Sequence, residues 1–181
     1  TYIDIGAHTG VYSLACLFAN TENNLVSIEP LPINYYRILT NMRLNGLDLF
    51  KRCSLFNVAV SDQIKKVKFS TASLEVSQSY LSKGSKIVSE GMDMQAISID
   101  SLRFGDANTQ VKGIKIDTEG EDYKVLIGGE KMIRQFMPKI MIETRKENYK
   151  DIINFLTSLR ETPVISFICD CFMIKFAVDI K

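Results

Sequence analysis

The chain has 181 residues, of which 46% are hydrophobic and 24% are charged, so its composition is that of an ordinary globular domain and excludes the disordered and fibrous classes. Lys and Arg total 22 against 21 Asp and Glu, which leaves no overall positive field for nucleic acid or an anionic membrane surface. A single histidine, His8, excludes a multi-histidine metal site. We expect one domain over residues 1–181.

The cysteines and the apolar runs of the sequence indicate where in the cell the protein is expected. The four cysteines lack C-x-x-C spacing, and most lie in apolar or strand-like runs, which favours reduced thiols and a cytoplasmic location. No apolar run approaches the ~18 residues that span a bilayer, so we expect no membrane partner. The chain opens inside a strand-like run, so we expect a further segment before Thr1. The pattern carries no prediction of oligomeric state.

The first part of the chain alternates strands with helices. A strand over 2–5 enters the glycine-bearing loop DIGAHTG at residues 4–10, and a helix begins near Val11. A buried strand over 25–28 ends at Glu29, because Pro30 cannot donate to a central ladder. The next predicted elements are a helix over 32–45 and a strand over 53–60.

The second part returns to this alternation after an irregular segment. Residues 70–95 are rich in Ser, Lys and Gly with scattered apolar residues, and we predict a mobile flap there. The remaining predicted elements are strands over 66–69, 96–99, 111–117 and 138–143, a helix ending near Gly128, a helix over 146–159, and an antiparallel hairpin of strands over 164–168 and 172–178. Apolar strands that alternate with helices predict an α/β fold, with a mostly parallel sheet covered on both faces.

Ligands of such sheets bind beyond the carboxyl ends of the strands. The ends of the first two predicted strands carry a glycine loop and an acidic residue. Gly6 and Gly10 allow a tight loop whose amides approach a ligand, and Asp4 could bind an amino group or order the loop. Glu29 follows Gly6 at about the 20-residue separation at which an acid meets the ribose hydroxyls. The glycines read G-x-x-x-G rather than G-x-G-x-x-G, and His8 is too bulky for close approach to a pyrophosphate.

Six segments in order resemble the successive motifs of the FkbM-type, class I S-adenosylmethionine-dependent methyltransferases: DIGAHTG, IEP, NVAVSD, SIDSL, IKIDTEGED and IMIE. His8 stands where asparagine is commoner in that family. The resemblance implies a Rossmann-like, three-layer αβα fold with a seven-stranded sheet, S-adenosylmethionine as cofactor, and O-methylation of a sugar or small natural-product hydroxyl. By motif match the expected cofactor contacts are Asp4, Gly6, Ala7, His8 and Gly10 at the methionine end, Glu29 at the ribose, and Asn57 and Ala59 at the adenine.

Two acids near the end of the strand over 111–117 are the catalytic candidates. Asp117 and Glu119 lie two positions apart, so they point in similar directions if extended geometry persists, and either would serve as base or acceptor-orienting group. Glu143 is a third candidate. The structural alternative is that Asp117 and Glu119 cap the following helix, as Glu29 could cap the helix over 32–45.

Three other functions stay open at this point. A nicotinamide-dependent oxidoreductase shares the ribose acid but not the glycine spacing. A non-catalytic nucleoside-binding module would keep the fold and lack an acceptor site. An RNA 2′-O-methyltransferase needs a lysine–aspartate–lysine–glutamate set and a basic RNA path, which the net charge of +1 does not support.

Overall fold

The computed structural model describes residues 1–46, 49–69, 87–88, 91–103, 105, 109–159, 165–169 and 172–176. Its strands are β1 (Tyr2–Ile5), β2 (Leu25–Ile28), β3 (Cys53–Phe56), β4 (Ala59–Val60), β5 (Lys65–Phe69), β6 (Ile87–Val88), β7 (Met92–Ile97), β8 (Gly113–Ile116), β9 (Lys139–Thr144), β10 (Ile165–Cys169) and β11 (Phe172–Phe176). Its α-helices are α1 (Val11–Ala19), α2 (Pro32–Leu44), α3 (Leu49–Arg52), α4 (Asp122–Ile127), α5 (Glu130–Phe136) and α6 (Lys146–Ser158). A 3₁₀ turn covers Ile99–Ser101.

A large sheet forms the centre of the fold, with strand order β11-β10-β9-β8-β1-β2-β3. Neighbouring strands from β10 to β3 are parallel, and β11 is antiparallel to β10. The predictions of an α/β fold, a mostly parallel sheet and a closing antiparallel hairpin are therefore confirmed. Strand order reverses at β1, because the chain moves outward through β2 and β3 before it returns to β8 on the other side.

Two apolar cores cover opposite faces of this sheet. Ile3 and Ile5 of β1 pack with residues of α4, α5 and α6 in the larger core. Tyr2 packs with the smaller core, which contains Leu17 of α1 and Ile38 of α2. Successive strand side chains point to opposite faces, so the two cores require helices on both sides of the sheet.

A second, smaller sheet is the main feature that the sequence patterns missed. Its strand order is β4-β7-β5-β6, with β4 parallel to β7 and the other pairs antiparallel. The strand predicted over 53–60 is wrong as one element, because the chain leaves the large sheet after Phe56 and enters the small one at Ala59. Strand β7 begins four residues earlier than predicted, so residues 92–95 belong to the sheet rather than the flap. Most of the predicted flap lies outside the described residues.

The helices near the C-terminal half differ in one respect from the predictions. Helix α4 ends before Gly128 as expected, but a further helix, α5, follows directly from Gly129. The Asp100 carboxylate accepts the amides of Lys131 and Met132 in the first turn of α5, at 3.1 and 2.9 Å. Within the described residues, no helix is long and apolar enough to span a membrane.

Candidate active site

The candidate site is a cavity of about 460 Å³ at the carboxyl edge of the large sheet, where the strand order reverses between β1 and β8. This volume lies in the range of pockets that enclose a drug-sized ligand. The glycine loop, the start of α1, the ends of β2 and β8, and the small sheet all contribute walls. The lining residues are Ile5, Gly6, Ala7, His8, Thr9, Val11, Tyr12, Ile28, Glu29, Pro30, Asn34, Val58, Ala59, Val60, Phe69, Lys115, Asp117, Thr118, Glu119 and Glu121.

The glycine loop packs directly on the end of β8. Gly6 has φ +75°, and a Cβ there would come within 1.8 Å of the carbonyl oxygen of Asp117. Its amide donates to the Ile28 carbonyl at 3.0 Å, and the Gly10 amide donates to the Ala7 carbonyl at 2.8 Å. These two amides have hydrogen-bond partners within the protein, and contact of the loop with a ligand stays a prediction. Gly6 is required here by the close contact between two strand ends.

Glu29, at the end of β2, is the most deeply buried acid of the cavity, with 4% of its surface exposed. Its Oε2 accepts the His8 amide at 2.8 Å, and its Oε1 accepts the Leu31 amide at 2.9 Å. Burial raises the pKa of Glu29 to about 7, although these amides and the Asn34 side chain lower it. The bond from Leu31 also gives Glu29 part of the capping role at α2.

His8 stands at the rim of the cavity. Its φ of +52° is left-handed, a conformation that non-glycine residues rarely adopt. Burial and the positive charge of Arg37 lower the pKa of His8, whereas Asp117 and Glu119 act in the opposite sense. The net effect favours the neutral imidazole near pH 7.

Asn57 and Ala59, predicted as adenine contacts, have different places. Ala59 lines the cavity. Asn57 is not among the lining residues, and its Nδ2 donates to the carbonyls of Glu29 and Pro30, both at 2.8 Å. Asn57 therefore holds the backbone at Glu29 and Pro30 in place through these hydrogen bonds.

Asp4 also lies behind the cavity wall rather than on it. Its side chain faces α1, where Oδ2 accepts the Ser13 hydroxyl at 2.7 Å and Oδ1 lies 3.3 Å from the Lys115 ammonium. Asp4 lines a neighbouring cavity of about 280 Å³ on that face of the sheet. Of the two roles expected for Asp4, the geometry favours ordering the loop.

Asp117 and Glu119 both line the cavity but do not share one environment. Asp117 Oδ2 lies 3.4 Å from the Lys115 ammonium. Glu119 has φ +56°, so the extended geometry assumed for this pair is wrong, and its carboxylate lies 3.2 Å from Arg145 instead. Glu143 is partly buried in β9 and is not among the lining residues.

The capping alternative for these acids is not what the structure shows at α4. The Thr118 amide and hydroxyl donate to Asp122 Oδ1 at 3.0 and 2.7 Å, so Asp122 orders this turn. Burial raises the pKa of Asp122. Asp117 and Glu119 are therefore left facing the cavity.

Lys115, Tyr12 and Glu121 are among the polar and aromatic wall residues that the sequence patterns missed. Lys115 interrupts the apolar strand β8, and this interruption was the only signal. Tyr12 lies in the first turn of α1, with the Lys115 ammonium 4.8 Å from its ring centroid. Glu121 accepts the Ser61 hydroxyl at 3.1 Å and joins the large sheet to the small one. Among the described residues, no group of His, Cys, Asp and Glu side chains is arranged to hold a metal ion.

The chain was compared with known proteins. The sequence model of the methyltransferase FkbM domain matches residues 4–162. Among solved structures, the chain is similar to the crystal structure of methyltransferase FkbM from Methylobacillus flagellatus KT, with TM-score 0.65 and 19% identity, over 88% of this chain and 37% of that protein. At this identity the likeness shows the fold alone, and the chain spans little more than a third of that protein. No curated protein matches. Because the family model covers most of the sequence, the chain belongs to the FkbM methyltransferase family.

Proposed function

We propose that this chain is a single S-adenosylmethionine-dependent O-methyltransferase domain that acts on a hydroxyl of a sugar or another small acceptor. Family membership supports methyl transfer. The observation that carries the proposal is the cavity in which the glycine loop, Glu29 and Asp117 meet at the strand-order reversal.

The residues present fit S-adenosylmethionine. The Glu29 carboxylate lines the cavity at the end of β2, where an acid suits the ribose hydroxyls as a hydrogen-bond acceptor. The apolar side chains of Val58, Val60 and Phe69 offer a surface for the adenine ring. The Gly6 carbonyl and the Asp117 carboxylate would accept hydrogen bonds from the methionine ammonium group, in which case Glu119 is the candidate base. When bound, this cofactor supplies an electrophilic methyl group on a cationic sulfur.

The acids of the cavity also fit a hydroxyl donor. Four carboxylic acids line it, namely Glu29, Asp117, Glu119 and Glu121. Carboxylates accept hydrogen bonds from hydroxyl groups. Asp117 or Glu119 would orient the acceptor hydroxyl or take its proton, while the rigid strand ends hold it close to the methyl group.

The test is turnover of methyl-labelled S-adenosylmethionine with a panel of sugars and small hydroxylated compounds. The proposal predicts labelled product and an equal amount of S-adenosylhomocysteine. Asp117→Asn or Glu119→Gln should lower kcat about 100-fold if that acid is the base. The exposed Glu147 of α6, which does not line the cavity, provides the control Glu147→Gln, with kcat unchanged.

Other outcomes would contradict the proposal in different ways. Methylation at nitrogen rather than oxygen would overturn the acceptor chemistry. Binding of S-adenosylmethionine without turnover of any acceptor would favour a non-catalytic module. A fluorescence change with reduced nicotinamide dinucleotide, in place of S-adenosylmethionine binding, would favour the oxidoreductase.

A further inference from the structure

Lys115 is a buried ammonium group with three oxygen partners. Only 11% of its side chain is exposed. Its Nζ lies 3.2 Å from the carbonyl oxygen of Gly6, 3.3 Å from Asp4 Oδ1 and 3.4 Å from Asp117 Oδ2. These oxygens belong to the glycine loop, to β1 and to the residue after β8. The ring of Tyr12 in α1 covers the same ammonium.

We propose that Lys115 is a positioning residue that holds the Gly6 carbonyl and the Asp117 carboxylate in the relative placement that cofactor binding requires. This inference rests on the proposed function. The ammonium donates to the Gly6 carbonyl and to Asp117 Oδ2, and its contact with Asp4 Oδ1 is an ion pair, so one side chain ties two walls of the cavity together. Lys115 itself lines the cavity, beside both of the groups it holds.

The competing explanation is that Lys115 only neutralises the buried charge of Asp4. Asp4 does not depend on Lys115 for its position, because its Oδ2 accepts the Ser13 hydroxyl, which is also 2.9 Å from the Ser27 hydroxyl. Asp4 is therefore a fixed anchor on β1, and the ammonium is the part that reaches from it to the cavity. The two explanations differ in what happens when both charges are removed together.

The experiment compares Lys115→Met with the double variant Lys115→Met/Asp4→Asn. Unfolding in urea measures stability, and calorimetry measures affinity for S-adenosylhomocysteine. Lys115→Met leaves a buried carboxylate without its cation, so stability falls. In the double variant the asparagine oxygen still accepts from Ser13 and no buried charge is left unpaired, so stability recovers.

The affinity of the double variant decides between the explanations. We expect it to stay about tenfold or more below that of the wild type, the order of magnitude of one charge-assisted hydrogen bond. Wild-type affinity in the double variant would overturn the proposal. Lys139→Met, which removes an exposed lysine of β9 that does not line the main cavity, should change neither measurement.

Lys115→Arg and the wild type itself provide two further measurements. If neither methionine variant folds, Lys115→Arg keeps the charge but cannot direct its planar guanidinium to the same three oxygens, so its affinity should fall by a similar factor. Wild-type affinity in Lys115→Arg would also overturn the proposal. If the wild type itself binds no S-adenosylhomocysteine, the proposed function fails rather than the role of Lys115.

Discussion

Replacing Glu29 by glutamine should change how the stability of the protein depends on pH. Glu29 is 4% exposed, and burial raises the pKa of its carboxyl from 4.5 to about 7. The folded protein therefore holds this proton more tightly than the unfolded chain does. The resulting stabilisation is fully present below pH 4.5 and is lost as pH rises through about 7.

The magnitude follows from the two pKa values. At about 1.4 kcal/mol for each pH unit, the difference corresponds to about 3 kcal/mol of unfolding free energy, most of which is lost between about pH 5 and pH 8. Glutamine cannot titrate, so Glu29→Gln has no such slope. It does lose one bond, because the amides of His8 and Leu31 each need an acceptor and glutamine offers one oxygen. This loss lowers stability by about 1–3 kcal/mol at every pH.

Urea unfolding of both proteins across this pH range measures the effect. The wild type should be the more stable protein at pH 5, and its advantage over Glu29→Gln should shrink by about 2–3 kcal/mol at pH 8. The difference in unfolding free energy between the wild type and Glu29→Gln removes the contribution of groups that titrate in both proteins, including His8. If the unfolding free energies of the two proteins changed in parallel with pH, the pKa of Glu29 would not be raised. Its carboxyl would then be hydrated in the folded protein.

Three other substitutions test the geometry of the cavity. Gly6→Ala should lower the free energy of unfolding by about 3 kcal/mol, because the new Cβ meets the Asp117 carbonyl. Gly46→Ala, where no atom lies within 4 Å of the new Cβ, should lower it by about 1 kcal/mol. Equal urea midpoints for the two variants would contradict this expectation. Asn57→Ala should lower stability by about 1–3 kcal/mol and weaken S-adenosylmethionine binding in calorimetry, and unchanged binding would mean that Glu29 keeps its place without it. Glu119→Gly relieves a left-handed φ, so thermal unfolding should show equal or higher stability while kcat falls; full activity would exclude Glu119 from the reaction.

The fold was predictable where periodicity is strong and local. The apolar strands at Tyr2–Ile5 and Leu25–Ile28 and the helix Pro32–Leu44 begin at the residues that the patterns indicate. The break at Asn57 was not predictable, because its side chain turns the chain through bonds to carbonyls about 28 positions earlier. The seven-residue helix α5 is too short for helical periodicity to separate it from the strand that follows.

For the site, strand ends were predictable and side-chain directions were not. Gly6, Glu29 and Asp117 meet because the carboxyl ends of parallel strands share one edge of the sheet. Asp4 points away from the cavity, toward α1, a direction set by the pleat of β1. Lys115 donates to the carbonyl of Gly6, which is 109 residues away in sequence, and no local spacing reveals such a contact. Cofactor contact by each of these residues stays a prediction.

Calorimetric titration of S-adenosylmethionine into the wild type and Glu29→Gln at pH 6 and pH 8 tests directly whether the cavity binds this cofactor through Glu29. We expect one binding site per chain, with tighter binding to the wild type at pH 8, where the Glu29 carboxylate is ionised and is the stronger acceptor for a ribose hydroxyl. In Glu29→Gln we expect weaker binding, with a smaller change between pH 6 and pH 8 than in the wild type. No binding to the wild type would exclude the cavity as a cofactor site, and equal affinities in the two proteins at both pH values would exclude Glu29 from it.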